Sequence, residues 1–183
     1  MLKLLFKIFS TKNNVIPAEA FARDAEMVAL GEAIREKTKK LFRGSLAIRM
    51  VDAGSDNAAE QELVALGNAF YDVDRFGVHF VASPKHADML MVTGPVTRNM
   101  QKALKKAYDV TPEPKIVVAV GDDAIDGGIF KGSYATTDGA ENTIPVHYHI
   151  PGDPPSPTTI LSHVLKILEA SDSGAAPTIK KAL

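Results

Sequence analysis

The stretch LAIRMVDAGSDNAAEQEL, residues 46–63, decides the fold of this chain. Its first eight residues, LAIRMVDA at 46–53, form an apolar run of strand length and predict a buried β-strand. The next four, GSDN at 54–57, are turn formers and helix caps. A helix is predicted from Ala58 to Phe70, with apolar residues at 63, 66 and 70. Strand, loop and helix in this order are the opening unit of an α/β sheet.

The rest of the chain repeats this alternation of short apolar strands and amphipathic helices. Strands are predicted at 78–82, 89–93, 116–120 and 144–150, and helices at 96–108 and 158–170. Short strands that alternate with helices indicate a parallel sheet. The predicted fold is α/β, a doubly wound, mainly parallel sheet with helices on both faces.

The composition agrees with a globular domain and excludes several kinds of functional site. The 183 residues have a formal net charge of -1, with 45% hydrophobic and 23% charged residues, which are ordinary values for a globular protein. The sequence contains no cysteine. This absence excludes disulfides, cysteine nucleophiles, zinc ribbons and thiolate-bound iron–sulfur clusters.

The start of the chain is basic and the remainder is acidic. Residues 1–45 hold nine Lys/Arg and five Asp/Glu, and residues 46–183 hold twelve and seventeen. An amphipathic helix is predicted from Pro17 to Phe42, with an apolar stripe that packs on its own domain or on another subunit. MLKLLFKIF at 1–9 is either an amphipathic arm on a partner or membrane surface, or a frayed terminus. We therefore divide the chain into a basic N-terminal amphipathic helical arm (1–45), an α/β domain (46–170) and a mobile tail (171–183).

The sequence argues against a membrane span and against a secretory signal. No apolar stretch approaches the roughly 20 residues that span a bilayer, and Lys7 interrupts the only run that resembles a secretory signal. The expected location is cytoplasmic. The basic cluster at 37–43 is too short to predict nucleic-acid binding.

Four loops follow the carboxyl ends of predicted strands, where ligands bind in sheets of this type. They are GSDNAAE (54–60), TGPVT (93–97), GDDAIDGG (121–128) and PGDPPSPT (151–158). Their glycines and prolines favour close approach of the backbone to a shared centre. Neither GxxxxGK[ST] nor GxGxxG occurs, so a nucleotide site has no signal here.

Four long blocks carry a resemblance to a known family. They are VDAGSDNAAEQEL, FYDVDRFGVHFVASPKHADMLMVTGPVTRNM, VVAVGDDAIDGGIFKGSYA and IPGDPPSPTTIL, and they cover most of residues 46–168. The sequence resembles the small subunit shared by respiratory complex I (the 20 kDa, B-type subunit) and membrane-bound [NiFe] hydrogenases, most closely the formate hydrogenlyase and hydrogenase-4 type. The resemblance implies a flavodoxin-like fold and one [4Fe–4S] cluster held by four loop cysteines.

Every one of those cysteine positions is changed in this chain. Aligned on the family's motifs, CxxC falls on Asp56 and Ala59, GDC on Asp123, and PGCPP on Asp153. Thiolates are the soft ligands that cluster iron requires. We therefore expect no cofactor of this kind in the chain, and no electron conduction of the kind that its relatives perform.

If the fold persists, the three aspartates converge, and like charges raise one another's pKa unless a cation or donor neutralises them. Three interpretations stay open. Asp56, Asp123 and Asp153 bind a hard divalent cation such as Mg²⁺, Ca²⁺ or Mn²⁺; or they form a polar pocket, solvated or paired with Arg/Lys, in the former cluster space; or four cysteines were replaced deliberately. Ala58 and Gln61 also depart from the family, which favours natural divergence.

Other acidic and imidazole side chains are interpreted structurally. Glu60 resembles a family acidic residue near the partner subunit and possible proton routes, but a carboxylate favoured by a helix N-terminus is the simpler interpretation. His147 and His149 alternate on one predicted strand and share an ordinary strand face. The aspartates of GDDAIDGG do not match EF-hand spacing and are interpreted as turn formers. No nucleophile and base are spaced for catalysis, so an independent enzyme is not expected.

The leading hypothesis is a cluster-free paralogue of the small electron-transfer subunit, acting as a structural and docking subunit. The resemblance implies as partners a hydrogenase or complex I-like large subunit, a ferredoxin-like subunit and membrane subunits. It also implies a peripheral position at the inner face of the membrane. The alternative hypothesis is an oxygen-ligand metal-binding or regulatory module that uses the three aspartates.

Overall fold

Five parallel strands form the centre of the molecule. A computed structural model describes residue 7 and residues 25–174 of the chain. The strands are β1 (Leu46–Asp52), β2 (Val78–Phe80), β3 (Met89–Thr93), β4 (Ile116–Val120) and β5 (Tyr148–Ile150). They pair in the order β2-β1-β3-β4-β5, and all four pairings are parallel. This is the flavodoxin-like order, and it confirms the predicted fold.

Within residues 25–174, five α-helices connect and cover the strands. They are α1 (Ala25–Phe42), α2 (Ala58–Ala65), α3 (Arg98–Val110), α4 (Asp122–Asp126) and α5 (Pro157–Asp172). Short 3-10 turns lie at 73–76, 84–86, 128–130 and 140–142. None of the helices in the described part of the chain is long and apolar enough to cross a membrane.

Each face of the sheet has its own core, so helices cover both faces as predicted. One core joins Met27 of α1 and Leu63 of α2 to the apolar face of α5. The other joins Leu104 of α3 and Ala124 of α4. Strand β3 lies between them, and each of its five residues is buried. A strand buried on both faces needs a continuous apolar run rather than an alternating one. MLMVT is such a run, so the sequence predicted this strand correctly.

Helix α1 packs on its own domain. Ile34 is 1% exposed within the first core, and the Lys37 Nζ lies 2.8 Å from the Asp172 Oδ2 at the end of α5. This decides, for residues 25–42, which surface the apolar stripe covers. The predicted helix start at Pro17 and the segment 1–9 lie outside the described residues. Of the predicted tail, Ser171 and Asp172 still belong to α5, and residues 175–183 also lie outside the described range.

Two predicted elements are shorter in the structure than in the sequence analysis. The helix predicted at 58–70 ends at Ala65, because the Asn68 side chain accepts the Phe70 and Tyr71 backbone N–H groups and forms a turn. The strand predicted at 144–150 is reduced to Tyr148–Ile150. Pro145 has no N–H to donate to a ladder, although the flanking residues 144 and 146 are buried.

Smaller differences occur at two other places. The strand predicted at 78–82 ends at Phe80. Helix α4 occupies residues that were predicted as loop. At five residues, α4 is too short to produce a helical apolar period, so the pattern could not reveal it.

Candidate functional site

The loops after β1, β3, β4 and β5 close on one another at the carboxyl end of the sheet. The Asp122 N–H donates to the Gly152 O at 2.9 Å, and the Gly152 N–H donates to the Asp122 Oδ1 at 2.9 Å. Gly94 has a φ of +77°, and a Cβ there would lie 2.6 Å from the Ser55 N. Only glycine allows this approach, so the backbone holds the loops in a fixed arrangement.

A small pocket at this junction is lined by all four altered positions. Asp56, Ala59, Asp123 and Asp153 all contribute to its walls. Asp56 and Asp153 are exposed at the rim, whereas Asp123 is 9% exposed and Ala59 is 8% exposed. The enclosed space is about 10 Å³, which is close to the room needed by one water molecule. The structure therefore brings together the residues that the sequence analysis placed at one site.

Asp123 has the most unusual environment of the three carboxylates. Its Oδ1 is buried and has no hydrogen-bond partner. Burial raises the pKa of Asp123 above its usual range, and the negative charges of Asp153 and Asp56 raise it further. A hydrogen bond from the Ile129 backbone acts in the opposite direction. The pocket therefore favours the neutral form of this one carboxyl, as expected for an acid removed from water beside like charges.

No basic side chain neutralises the pocket within residues 25–174. None of the ion pairs there includes Asp56, Asp123 or Asp153. The Asp56 Oδ1 instead accepts the Ala58 N–H at 2.9 Å and helps to begin α2. Of the two forms of polar pocket considered, the solvated one matches this arrangement better than the Arg/Lys-paired one.

The donor set does not fit the [4Fe–4S] cluster that the resemblance implies. The pocket offers carboxylates and a buried methyl group where a cubane requires thiolates. Within the described residues, no three or more His, Cys, Asp or Glu side chains are arranged to hold a metal ion. A site for a hard cation is thus not preformed by the aspartates in this conformation.

Glu60 is more deeply buried than the sequence suggested. It lies in the first turn of α2, where the helix dipole favours a carboxylate. Its side chain is only 4% exposed, and both carboxylate oxygens are buried without a hydrogen-bond partner. No pattern in the sequence indicated this burial, because Glu60 stands among polar and small residues in AAEQE.

The two histidines do not form a pair. His147 lies outside β5, and its Nδ1 accepts the Val117 N–H at 3.0 Å. Burial lowers the pKa of His147, with a raising effect of Glu113 and a lowering effect of Lys115. His149 lies in β5, and its Nε2 is 2.9 Å from the Glu141 Oε1. The strand on which both histidines were predicted therefore contains only His149, and each ring has its own partner.

The remaining aspartates of GDDAIDGG stabilise the loop. Asp122 accepts the Gly152 N–H, and the Asp126 Oδ1 accepts the Gly128 N–H at 3.1 Å. The Asp126 Oδ2 also lies 2.7 Å from the Lys131 Nζ, and these hydrogen bonds lower the pKa of Asp126. The contact of Asp126 agrees with its interpretation as a turn former, whereas Asp122 lies at the start of α4 and bonds to the loop after β5.

The strand order and the four-loop pocket define the class: a flavodoxin-like α/β protein with its site at the carboxyl ends of the strands. Within this class, the chain belongs to the NADH ubiquinone oxidoreductase 20 kDa subunit family, whose model matches residues 57–167. The matched range contains three of the altered positions, and Asp56 lies one residue before it. The family resemblance seen in the sequence is therefore confirmed.

Individual relatives are similar over most of the α/β domain. An uncharacterized protein of Methanocaldococcus jannaschii is 44% identical over 130 residues, which are 70% of this chain and 87% of that protein. A probable membrane-bound hydrogenase subunit of Pyrococcus furiosus is 44% identical over 119 residues, 65% of this chain and 71% of that protein. An NADH-quinone oxidoreductase subunit of Desulfovibrio desulfuricans is 41% identical over 108 residues, 59% of this chain and 58% of that protein.

A solved structure gives the same fold. A chain of the membrane-bound sulfane sulfur reductase, described as an archaeal respiratory membrane complex, superposes with a TM-score of 0.65 at 31% identity. The match covers 80% of this chain and 79% of that one. The relatives and the solved structure are thus named as parts of a membrane-bound hydrogenase, an NADH-quinone oxidoreductase and a membrane-bound sulfane sulfur reductase.

Proposed function

We propose that this chain is a cluster-free paralogue of the small electron-transfer subunit of complex I-like and membrane-bound hydrogenase-like complexes. It acts as a structural and docking subunit of such a complex rather than as a conductor. The observation that carries this proposal is the donor set of the pocket. Where the family resemblance places four thiolates, the chain has Asp56, Ala59, Asp123 and Asp153 in one place, and oxygen and methyl groups do not replace thiolates around a cubane.

The docking part of the proposal is supported by the fixed loop backbone. Gly94 holds the loop after β3 against Ser55, and the loops after β4 and β5 bond to each other. A surface of fixed shape is suited to contact with a neighbouring subunit. We propose the neighbours that the resemblance implies: a large subunit, a ferredoxin-like subunit and membrane subunits. We place this chain peripherally at the inner face of the membrane, on the membrane subunits of the complex.

The proposal is tested by purifying the tagged chain from its native cell in mild detergent and identifying its companions by mass spectrometry. A hydrogenase-like or complex I-like large subunit and at least one membrane subunit are expected in stoichiometric amounts. Repeated recovery of this chain alone, from membranes and from the soluble fraction, would contradict the docking role.

An alternative function is binding of a hard divalent cation, and the unpartnered Oδ1 of Asp123 is the observation that favours it. The side chains of Asp56 and Asp153 would have to move toward Asp123 to bind a cation, because the described side chains do not already form a metal site. Titration with Mn²⁺ at pH 7, followed by calorimetry and elemental analysis, tests this alternative. Failure to bind Mn²⁺, Mg²⁺ or Ca²⁺ at millimolar concentration would reject it and leave the solvated polar pocket.

Deliberate replacement of four cysteines is tested at the level of the gene. Cysteine codons at 56, 59, 123 and 153 in the native gene would restore an ordinary electron-transfer subunit. Aspartate and alanine codons at those positions are expected if the divergence is natural.

A further inference from the structure

A second concave surface lies at the β2 edge of the sheet. This edge cleft has a volume of about 370 Å³ and shares no lining residue with the carboxylate pocket. Its walls are almost entirely apolar and include Met50, Val64, Phe80 and Val81. Val64 is 62% exposed and Phe80 is 38% exposed. Apolar side chains that stand together in a concave surface mark an interaction site more often than scattered ones do.

The floor of the edge cleft is an unpaired strand edge. Strand β2 pairs with β1 only from Leu46 to Ile48, and the last bond of the ladder runs from the Val81 N–H to the Ile48 O. If the ladder continued, the Met50 N–H would donate to the Val81 O and the Ser83 N–H would donate to the Met50 O. Neither bond is formed in the described part of the chain. The peptide groups of β1 beyond Ile48 therefore face the cleft on this side, and an unpaired edge is a template for another strand.

Arg49 brings one positive charge to these apolar walls. Arg49 is one of the residues that line the edge cleft, and among the described residues its guanidinium takes part in no hydrogen bond or ion pair, unlike those of Arg35, Arg75 and Arg98. An arginine guanidinium is a strong donor for carboxylates. A carboxylate beside an apolar side chain is therefore the group that would pair with the free N–H donors of Arg49.

We propose that the edge cleft binds an extended segment of a partner chain, which adds as a strand beside the distal half of β1. The segment is apolar at alternate positions and carries a carboxylate that pairs with Arg49. A strand satisfies the open peptide groups of β1, whereas a lipid chain would cover them without a hydrogen bond, which costs free energy. This proposal describes the chemistry of one docking contact. It rests on the proposed function only because it requires a partner chain.

The direct test uses three synthetic peptides and the isolated chain labelled for NMR. Ac-VTVEVT-NH2 has the proposed pattern, Ac-VTVKVT-NH2 reverses its charge, and Ac-VTPEPT-NH2 lacks two backbone donors. We expect the first peptide to shift the amide signals of residues 50 and 52 and to slow their hydrogen exchange. The second should bind at least tenfold more weakly, and the third should leave these amides unchanged.

Two variants distinguish a specific effect of the Arg49 charge on peptide binding from a general effect of positive charge. Arg49→Gln should remove the preference for the glutamate peptide over the lysine peptide. Lys105→Gln is the matched control, because it removes an exposed positive charge on α3 and should leave that preference intact. Absence of any shift at residues 50 and 52 at millimolar peptide, or equal binding of the two charged peptides, would overturn the proposal. So would decanoate occupying the cleft and excluding the peptide.

A second measurement in the native complex keeps the two proposals distinguishable. A photoreactive amino acid replaces Phe80, with the same replacement at Lys105 as control, and the cross-linked peptide is sequenced. An extended apolar segment with an acidic residue is expected from position 80 only. An intact complex without this product overturns the edge-cleft proposal alone, whereas purification of the chain without companions overturns the docking function whatever the peptides do.

Discussion

At the scale of single residues, three aspartates that look equivalent in the sequence differ in the structure. Asp123 is buried in the first turn of α4, while Asp56 and Asp153 are exposed at the rim. The motif alignment was sufficient to predict that they meet. It did not predict which one is buried, because exposure depends on backbone conformations such as the left-handed Asn57, whose φ is 74°, and such conformations leave little trace in the sequence.

The burial of Asp123 predicts an effect of pH on stability. Its pKa is raised in the folded state by burial and by Asp153 and Asp56, so the native state holds this proton more tightly than the unfolded state. Any stabilisation from it is complete below the unfolded pKa and is lost as the pH rises through the folded pKa. Asp123→Asn should therefore raise the free energy of unfolding at pH 7.5, by on the order of 1 kcal/mol.

Urea unfolding of Asp123→Asn and the parent at pH 7.5 and pH 4 checks this prediction. The difference should shrink at pH 4, because the raised pKa of Asp123 in the folded state favours its neutral form and an unfolded aspartate is close to half protonated there. Asp74→Asn, at an exposed position remote from the pocket, is the control and should change little. A variant that is less stable than the parent at pH 7.5 would show that the Asp123 carboxylate is needed in its charged form.

His147 predicts a dependence on pH of opposite sign. Its Nδ1 accepts the Val117 N–H, and burial lowers its pKa in the folded state. The stabilisation is present above the unfolded pKa of about 6.5 and is lost as the pH falls through the folded pKa. NMR titration should show that the His147 ring titrates below the usual histidine range, and titration above that range would contradict the buried, accepting imidazole.

At the scale of secondary-structure elements, the central strands were the most predictable part of the fold. The predicted bounds at 89–93 and 116–120 agree with β3 and β4, because strands buried on both faces are continuous apolar runs. Predictions were worse where a polar side chain or a proline ends an element, as Asn68 does after α2 and Pro145 before β5. The packing of α1 was left open, since an amphipathic stripe does not name the surface that it covers.

The contact between α1 and the 3-10 turn before β2 predicts a strong substitution effect. A Cβ on Gly31 would overlap the ring of Phe76, so Gly31→Ala should destabilise the fold although alanine favours helices. Overpacking of this kind typically costs about 1–3 kcal/mol. Phe76→Leu makes room and should recover part of the loss in the double variant, a coupling that a double-mutant cycle measures. Additive losses would mean that the helix does not contact Phe76.

At the scale of the whole molecule, the chain has the family's fold but other residues at the four cluster-ligand positions. The two cores and the five-strand order are those of a flavodoxin-like family member, and the described loops still meet at one pocket. The sequence was sufficient to predict the fold and the meeting of the four altered positions, because the family blocks persist around them. It did not reveal the edge cleft, which arises from the short pairing of β2 with β1 and has no motif.

The central claim is that this pocket does not hold an iron–sulfur cluster, and anaerobic reconstitution with iron and sulfide tests it most directly. The parent chain is compared with the quadruple variant Asp56→Cys, Ala59→Cys, Asp123→Cys and Asp153→Cys by iron and sulfide analysis and by electron paramagnetic resonance after reduction. We predict that the parent takes up no cluster and that the quadruple variant gains the signal of a reduced [4Fe–4S] centre. A cluster bound stoichiometrically by the parent chain would contradict the account.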